Sequence, residues 1–209
     1  MTRLQAVADS FVGVDSPLLV MDTAPAAVLG ATLDPIVAGR ERVLIANVGN
    51  FHTLAFRLGS EGIEGVFEHH TGLLDLPKLK NLLLSLADGS LQHTDVFDDH
   101  GHGALIYGNE PLSFGKGEFD IVVTGPRRSM LRQAGDGKPL TESSGSSSNA
   151  AKHQPILRPY FPAPFGDMMI TGCFGLLAAT ADIMPHLADP IQASLSQIQD
   201  TGIPPWEAL

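Results

Sequence analysis

Two short stretches hold most of the reactive side chains in this chain. One is Glu68-His69-His70, the other Asp98-Asp99-His100-Gly101-His102. Imidazole and carboxylate ligands together suit Zn, Mn or Fe, and the same groups transfer protons when their environment tunes them. His100 and His102 flank Gly101, so an extended segment would turn both to one side. If the strand ending at His70 runs beside the Asp98 loop, four ligands converge. On that reading Asp98, Asp99, His100 and His102 bind a metal, while His69, His70, Asp99 and His100 do acid–base work. The competing reading makes each a hydrogen-bonded turn residue, and the spacing is less specific than a paired His-Glu-x-x-His helix. His93, His153 and His186 stand alone and read as surface residues.

A second polar group surrounds a turn. Asn47, Gly49, Asn50, His52 and Thr53 sit between the apolar runs Val43–Ile45 and Phe51–Leu58. Gly and Asn accept the left-handed conformations that tight turns need, so the segment reads as a β-hairpin. Backbone N–H groups at such a tip can hold an anion; the simpler reading is a hairpin with a polar tip. His52 joins the histidine cluster only if the tip faces it. A third group, Thr124, Gly125, Arg127 and Arg128, follows the apolar run Phe119–Val123. Paired arginines suit phosphate oxygens, and they equally suit a solvated helix start.

The elements that must position these groups alternate in kind. Leu4–Phe11 reads as a helix, Leu18–Met21 as a short buried strand, and Ala24–Leu33 as a helix of small residues capped by Asp22 or Thr23. After the hairpin, Ile63–His69 gives a third antiparallel strand. Leu73–Leu86 follows as an amphipathic helix, with leucines at helical spacing and Gly89 as its stop. Ala104–Tyr107 and Phe119–Val123 read as strands and Arg127–Arg132 as a helix start. Residues 133–154 lose hydrophobic content around TESSGSSSNAAK and read as a flexible insertion. Ile156–Phe161 is a further strand candidate. Met168–Ile183 is a second small-residue helix, ended by Pro185. The chain then divides into a leading helix (1–15), an α/β domain (16–185) and a polar tail (186–209). Three antiparallel strands followed by crossover-connected strands predict a mixed sheet with helices on both faces.

Composition narrows the function. The chain has 209 residues, 44% hydrophobic and 17% charged, with a formal charge of −10. That sign disfavours nucleic-acid binding, which needs a basic face. Between Glu61 and Asp99 there are eight carboxylates against Lys78 and Lys80, while Arg127, Arg128 and Arg132 lie further on. This is either an ordinary solvated surface or a cation-binding side opposite a phosphate-friendly one. The single cysteine, Cys173, excludes an internal disulfide and a cluster held by several thiolates of this chain. A reduced cytoplasmic setting fits it. No apolar run is long enough to span a membrane.

Four segments resemble the second domain of the actin-like ATPase superfamily, which includes sugar kinases, actins and heat-shock chaperones. Ala24–Leu33 resembles the first helix connecting the two domains. Asn47–Thr53 resembles the second phosphate loop, normally an Asp-x-Gly-x-x-Thr hairpin. Val122–Pro126 resembles the adenosine loop, and Thr171–Gly175 lies in what looks like the second connecting helix. The strings NVGNFHTLAF, GVFEHHT, GHGALIYG, VTGPRR and APFGDMMITGCFGLL resemble one family within that superfamily, whose members carry the label "putative pyruvate formate-lyase activating enzyme".

The resemblance implies a ribonuclease-H-like fold. It also implies binding of a nucleotide (ATP or ADP with Mg) or a phosphorylated small molecule between Asn47–Thr53 and Thr124–Arg128. An N-terminal half, or a homodimer partner, would complete the site. Three departures qualify it. Nothing before Asp15 supplies the first phosphate loop. Asn47 replaces an acid, and an amide cannot hold a Mg²⁺-bound water as a carboxylate does. Pro126 and Arg127 stand where glycines normally admit adenine. Hydrolysis by this chain alone is therefore not expected, and one cysteine does not suit a radical activase. Two alternatives remain: a metal-dependent hydrolase or transferase using the His/Asp cluster, and a non-catalytic partner module docking through its small-residue helices.

Overall fold

A computed structural model describes residues 2–13, 15–108, 110–132 and 157–201. The expected insertion, 133–154, lies outside them, as does the end of the tail, 202–209. The chain forms two compact units: Met1–Glu41 with Phe161–Leu209, and Arg42–Tyr160.

The second unit is a six-stranded mixed sheet. Strands β1 (Val43–Val48), β2 (His52–Gly59) and β3 (Gly62–His70) form an antiparallel meander, and β4 (Gly103–Ile106) adds to β3. On the other side β5 (Ile121–Thr124) pairs parallel to β1, and β6 (Pro159–Tyr160) parallel to β5. The order is β4-β3-β2-β1-β5-β6. The centre explains itself chemically. Leu44, Ile45, Ala46 and Val48 of β1 and Ile121, Val122 and Val123 of β5 are buried, as parallel strands covered on both faces require.

Helix α4 (Leu76–Asp88) follows β3. Asp75 caps it, accepting from the Lys78 amide at 2.8 Å, and Gly89 ends it at φ 80°. Leu79, Leu82, Leu83 and Leu86 are buried along one side, each worth roughly 1.5–3 kcal/mol of burial. The expected start at Leu73 moves to Leu76. Leu73 sits exposed in a 3-10 turn (Thr71–Leu73), because the cap and Pro77 set the boundary and the apolar spacing does not. Short helices α5 (His93–Phe97) and α6 (Ser129–Arg132) precede β4 and follow β5.

The first unit is helical: α1 (Thr2–Ser10), α2 (Thr23–Ala31), α3 (Pro35–Ala38), α7 (Thr171–Ile183) and α8 (Pro185–Thr201). Buried Asp34 caps α3 through the Ile36 amide at 3.0 Å, and its other oxygen accepts from the Ala163 amide at 3.1 Å. One carboxylate thus joins the unit's two chain segments. Helices α2 and α7 cross at Gly30 and Gly175. A Cβ built on Gly30 would lie 1.8 Å from the Thr171 carbonyl oxygen, and one on Gly175 would lie 1.9 Å from that of Ala26. The backbones themselves are in contact, which only glycine allows.

Two expectations change. Leu18–Met21 is not a strand: it pairs with nothing in the sheet, and Leu18 is exposed. A four-residue apolar run marks partial burial and does not by itself specify a ladder. Most of the expected polar tail is helix α8. Pro185 ends α7 but occupies the first position of the next helix, where its missing N–H costs nothing. No described helix is long and apolar enough to cross a membrane.

Candidate functional site

The register of the sheet sorts the candidate residues by face. Thr124 pairs with Asn47, Asn47 with Leu54, Leu54 with Glu68, and Glu68 with Gly103. Residues directly opposite each other share a face, so Asn47, Thr124 and Glu68 lie in one row. Two residues further along the same face, His52 pairs with His70. The alternating positions Thr53, Ala55, Arg57, Phe67 and His69 point the other way and are buried.

On the face that carries Asn47 and Glu68, three imidazoles converge. The ring centroids of His52 and His70 are 4.9 Å apart, those of His52 and His102 5.0 Å, and those of His70 and His102 4.7 Å. One ligand nitrogen from each lies within 4.8 Å of the others. Each comes from a different strand end. His52 opens β2, His70 closes β3, and His102 precedes β4, held by its amide donating to the Glu68 carbonyl at 2.9 Å. Glu68 also reaches across to His52, with Oε1 3.0 Å from Nδ1. Loss of solvation, then the nearby His102 and His52 rings, hold the His70 imidazole below its ordinary pKa of 6.5.

His69 faces away from this group. It is fully buried, with Nε2 3.0 Å from Asp99 Oδ2 and Nδ1 3.2 Å from the His70 carbonyl. Both ring nitrogens have oxygen neighbours on the buried face, away from the three converging imidazoles. Lys78 binds both Asp99 oxygens, at 3.0 and 2.8 Å. That ammonium, reinforced by His69, holds the Asp99 carboxyl below 3.8 against the opposing cost of desolvation. Gly101 closes over the pair: a Cβ there would meet His69 Cδ2 at 2.7 Å and Val96 Cγ1 at 2.6 Å.

The expected set Asp98, Asp99, His100 and His102 therefore does not converge. Asp98 and His100 are exposed, and Asp99 belongs to the buried pair. His100 has φ 65°, so the segment turns where an extended one would have aligned His100 with His102. His52, the conditional member, is in the cluster. Strand parity separates His69 from His70 and was available in the sequence; the pairing of His52 with His70 depends on register and was not.

The carboxylate-rich stretch divides similarly. Asp75, Asp88 and Asp95 accept backbone N–H bonds from Lys78, Ser90 and Gln92, and Glu64 binds two arginines. These acids are structural, and they account for much of the local negative charge.

At the β1–β5 end, the Thr124 hydroxyl donates to Asn47 Oδ1 at 3.1 Å. Gly125 takes φ 94°, and a Cβ there would lie 2.4 Å from the Val48 carbonyl oxygen. Gly49 is as tight, its Cβ position 2.5 Å from the His52 carbonyl oxygen. Both glycines are required by close backbone approach. The Arg127 amide donates to Val48 at 3.0 Å, with its side chain exposed. Arg128 Nη1 donates to the Gly125 carbonyl at 3.0 Å, while its buried Nε has no acceptor among the described residues. Asn50 is exposed at the tip, beside Phe51 at 83% exposure. Thr53 is on the far face, buried, with its hydroxyl 2.9 Å from that of Thr71, so it does not join the loop residues.

A family model described as "Putative pyruvate format-lyase activating enzyme (DUF1786)" matches residues 1–130, and the chain belongs to that family. Neither a curated protein nor a solved structure matches it. The single cysteine, Cys173, is exposed in α7. One thiolate cannot supply the ligand set of an iron–sulfur cluster.

Proposed function

We propose that the sheet unit binds a phosphorylated ligand, of which a nucleoside di- or triphosphate is the leading candidate, at the β1–β5 end. The observation that carries this reading is Arg128. A guanidinium nitrogen buried without an acceptor is costly, and it sits beside a loop whose glycine, Gly125, brings two backbones together. A phosphate oxygen is the acceptor that best matches a guanidinium. Asn47, already oriented by Thr124, and the exposed Arg127 lie at the same end.

The finer fold assignment, an actin-like ATPase domain of ribonuclease-H-like topology, is supported by three features. These are the β1–β3 meander, the parallel addition of β5 and β6 beside β1, and the glycine crossing of α2 with α7. In that reading the ligand is shared with a second domain, from the same chain or a partner. The reading is one of binding. Asn47 presents an amide where a metal-bound water would need a carboxylate, so no hydrolytic step is assigned to this unit.

Thermal-shift titration with Mg-ATP, Mg-ADP and pyrophosphate tests it. At about 100-fold above Kd, a ligand that binds only the folded chain adds about 2.7 kcal/mol, which raises Tm. We expect the rise with at least one of the three, and its loss in both Arg128→Ala and Asn47→Ala. No rise with any of them, or a rise kept in both variants, overturns the assignment.

A further inference from the structure

We propose that His52, His70 and His102 form a binding site for one divalent transition-metal ion, zinc by its ligand chemistry, with Glu68 orienting His52. The donor set and its support are independent of phosphate binding at the β1–β5 end.

Three imidazoles supply the all-nitrogen environment that zinc, copper and nickel prefer over magnesium or calcium. Here the three come from separate strand ends, and their nitrogens approach within 4.8 Å. In a tetrahedral zinc site, with Zn–N of about 2.0–2.1 Å, ligand nitrogens lie roughly 3.3 Å apart. The needed contraction is a matter of ring rotation. His52 and His70 are half-exposed and His102 is exposed, so these rings are not locked by packing.

The supporting contact is specific. Glu68 Oε1 lies 3.0 Å from His52 Nδ1. A carboxylate acceptor makes Nδ1 the N–H nitrogen and leaves the lone pair on Nε2. Metal-binding histidines characteristically carry such a carboxylate on the nitrogen that does not ligate. The same glutamate's carbonyl anchors the His102 amide, so one residue positions two of the three rings. Three protein ligands leave one tetrahedral position open for water or an exogenous ligand, the pattern of reactive zinc sites. His52 and His70 lie on the sheet face that also carries Asn47 and Thr124.

The test uses full-length, tag-free protein, stripped with chelator and titrated with Zn²⁺ by calorimetry, with Co²⁺ as a spectroscopic probe. One Zn²⁺ per chain is expected, along with the intense visible absorption of tetrahedral Co²⁺. Glu68→Gln should weaken Zn²⁺ affinity about 10–100-fold, and His102→Ala, at an exposed position, should weaken it further. His186→Ala, outside the cluster, should bind as the parent does. The proposal is overturned if no stoichiometric Zn²⁺ binds, if His102→Ala and His70→Ala both retain parental affinity, or if His186→Ala alone abolishes binding. Circular dichroism of each variant separates lost binding from lost fold.

Discussion

Replacing Glu64 with alanine is expected to cost the sheet unit about 3–5 kcal/mol, the usual consequence of removing one partner from a buried ion pair. Arg57 is the reason. It sits on the buried face of β2 with no side-chain exposure, opposite Gly65, where no side chain competes for its space. Its Nε donates to Glu64 Oε2 at 2.8 Å, and Nη1 donates to the Ala87 carbonyl at 3.2 Å, at the negative end of α4. Its Nη2 donates to the Glu110 carbonyl. Arg42 grips the same carboxylate, Nε to Oε1 at 3.0 Å and Nη2 to Oε2 at 2.6 Å. Glu64 is thus shared by two guanidiniums; Arg42 has a second carboxylate, that of Glu110, at 3.7 Å, whereas Glu64 is the carboxylate that pairs with Arg57 among the described residues. Its removal leaves Arg57 buried and uncompensated. Urea unfolding of Glu64→Ala measures the loss, and a change below about 1 kcal/mol would place the pair among weak surface bridges instead. Adding Arg57→Met to Glu64→Ala should recover much of the loss, since the stranded charge is then gone.

The same geometry sets a pH dependence. Hydrogen bonding to Arg42 holds the Glu64 carboxyl below 4.5, against desolvation and with help from Arg57. Asp99 is held below 3.8 in the manner described above. Asp120 is also below 3.8: burial acts in the opposite direction but is outweighed by bonds from Arg158 and the Gly115 amide. These groups are more acidic folded than unfolded. As pH falls below 4.5 the unfolded chain takes up protons first, so their contribution is full at neutral pH and lost through the acid range.

The second large effect belongs to the helical unit. Gly175→Ala puts a methyl group 1.9 Å from the Ala26 carbonyl oxygen and 2.6 Å from the Gly30 nitrogen. No rotamer change relieves a collision with backbone, so α2 and α7 must separate. The expected cost is at least about 1–3 kcal/mol, the range for overpacking. Gly172→Ala, three residues earlier in the same helix, is the matched comparison. Its Cβ would come no closer than 3.6 Å, to the Ala27 nitrogen, which is ordinary contact. There alanine is expected to be neutral, or stabilising by up to about 1 kcal/mol. Thermal melts that treat the two variants alike would refute the close-crossing account.

What the sequence made legible was local. Gly49 between two apolar runs marks the hairpin, leucine spacing with Gly89 marks α4, and stretches of small residues mark α2 and α7. Each signal lies within about a dozen residues. What stayed hidden depended on partners far along the chain. Leu18–Met21 has strand-forming side chains and pairs with no strand among the described residues. Adjacency in sequence points to Asp98–His102 as metal ligands, and the turn at His100 keeps His100 from lining up with His102. His52, His70 and His102 meet only through register across β2, β3 and β4. Proline misled in one place: Pro185 terminates one helix and begins another, and residue type alone does not distinguish the two.

The helical unit is assembled from both sides of the sheet unit in the chain, and this bears on how the protein acquires its structure. The meander β1–β3 closes through short turns, and its contacts form between neighbours. Helix α2 has no such option. The helix whose backbone it touches, α7, lies beyond the whole of the sheet unit. During synthesis α2 leaves the ribosome well before α7 and must wait, its small-residue face uncovered, until the intervening sheet is made. The long loop then closed by their contact favours a late docking step, so the sheet is expected to be the nucleus and the glycine crossing the last seam to close.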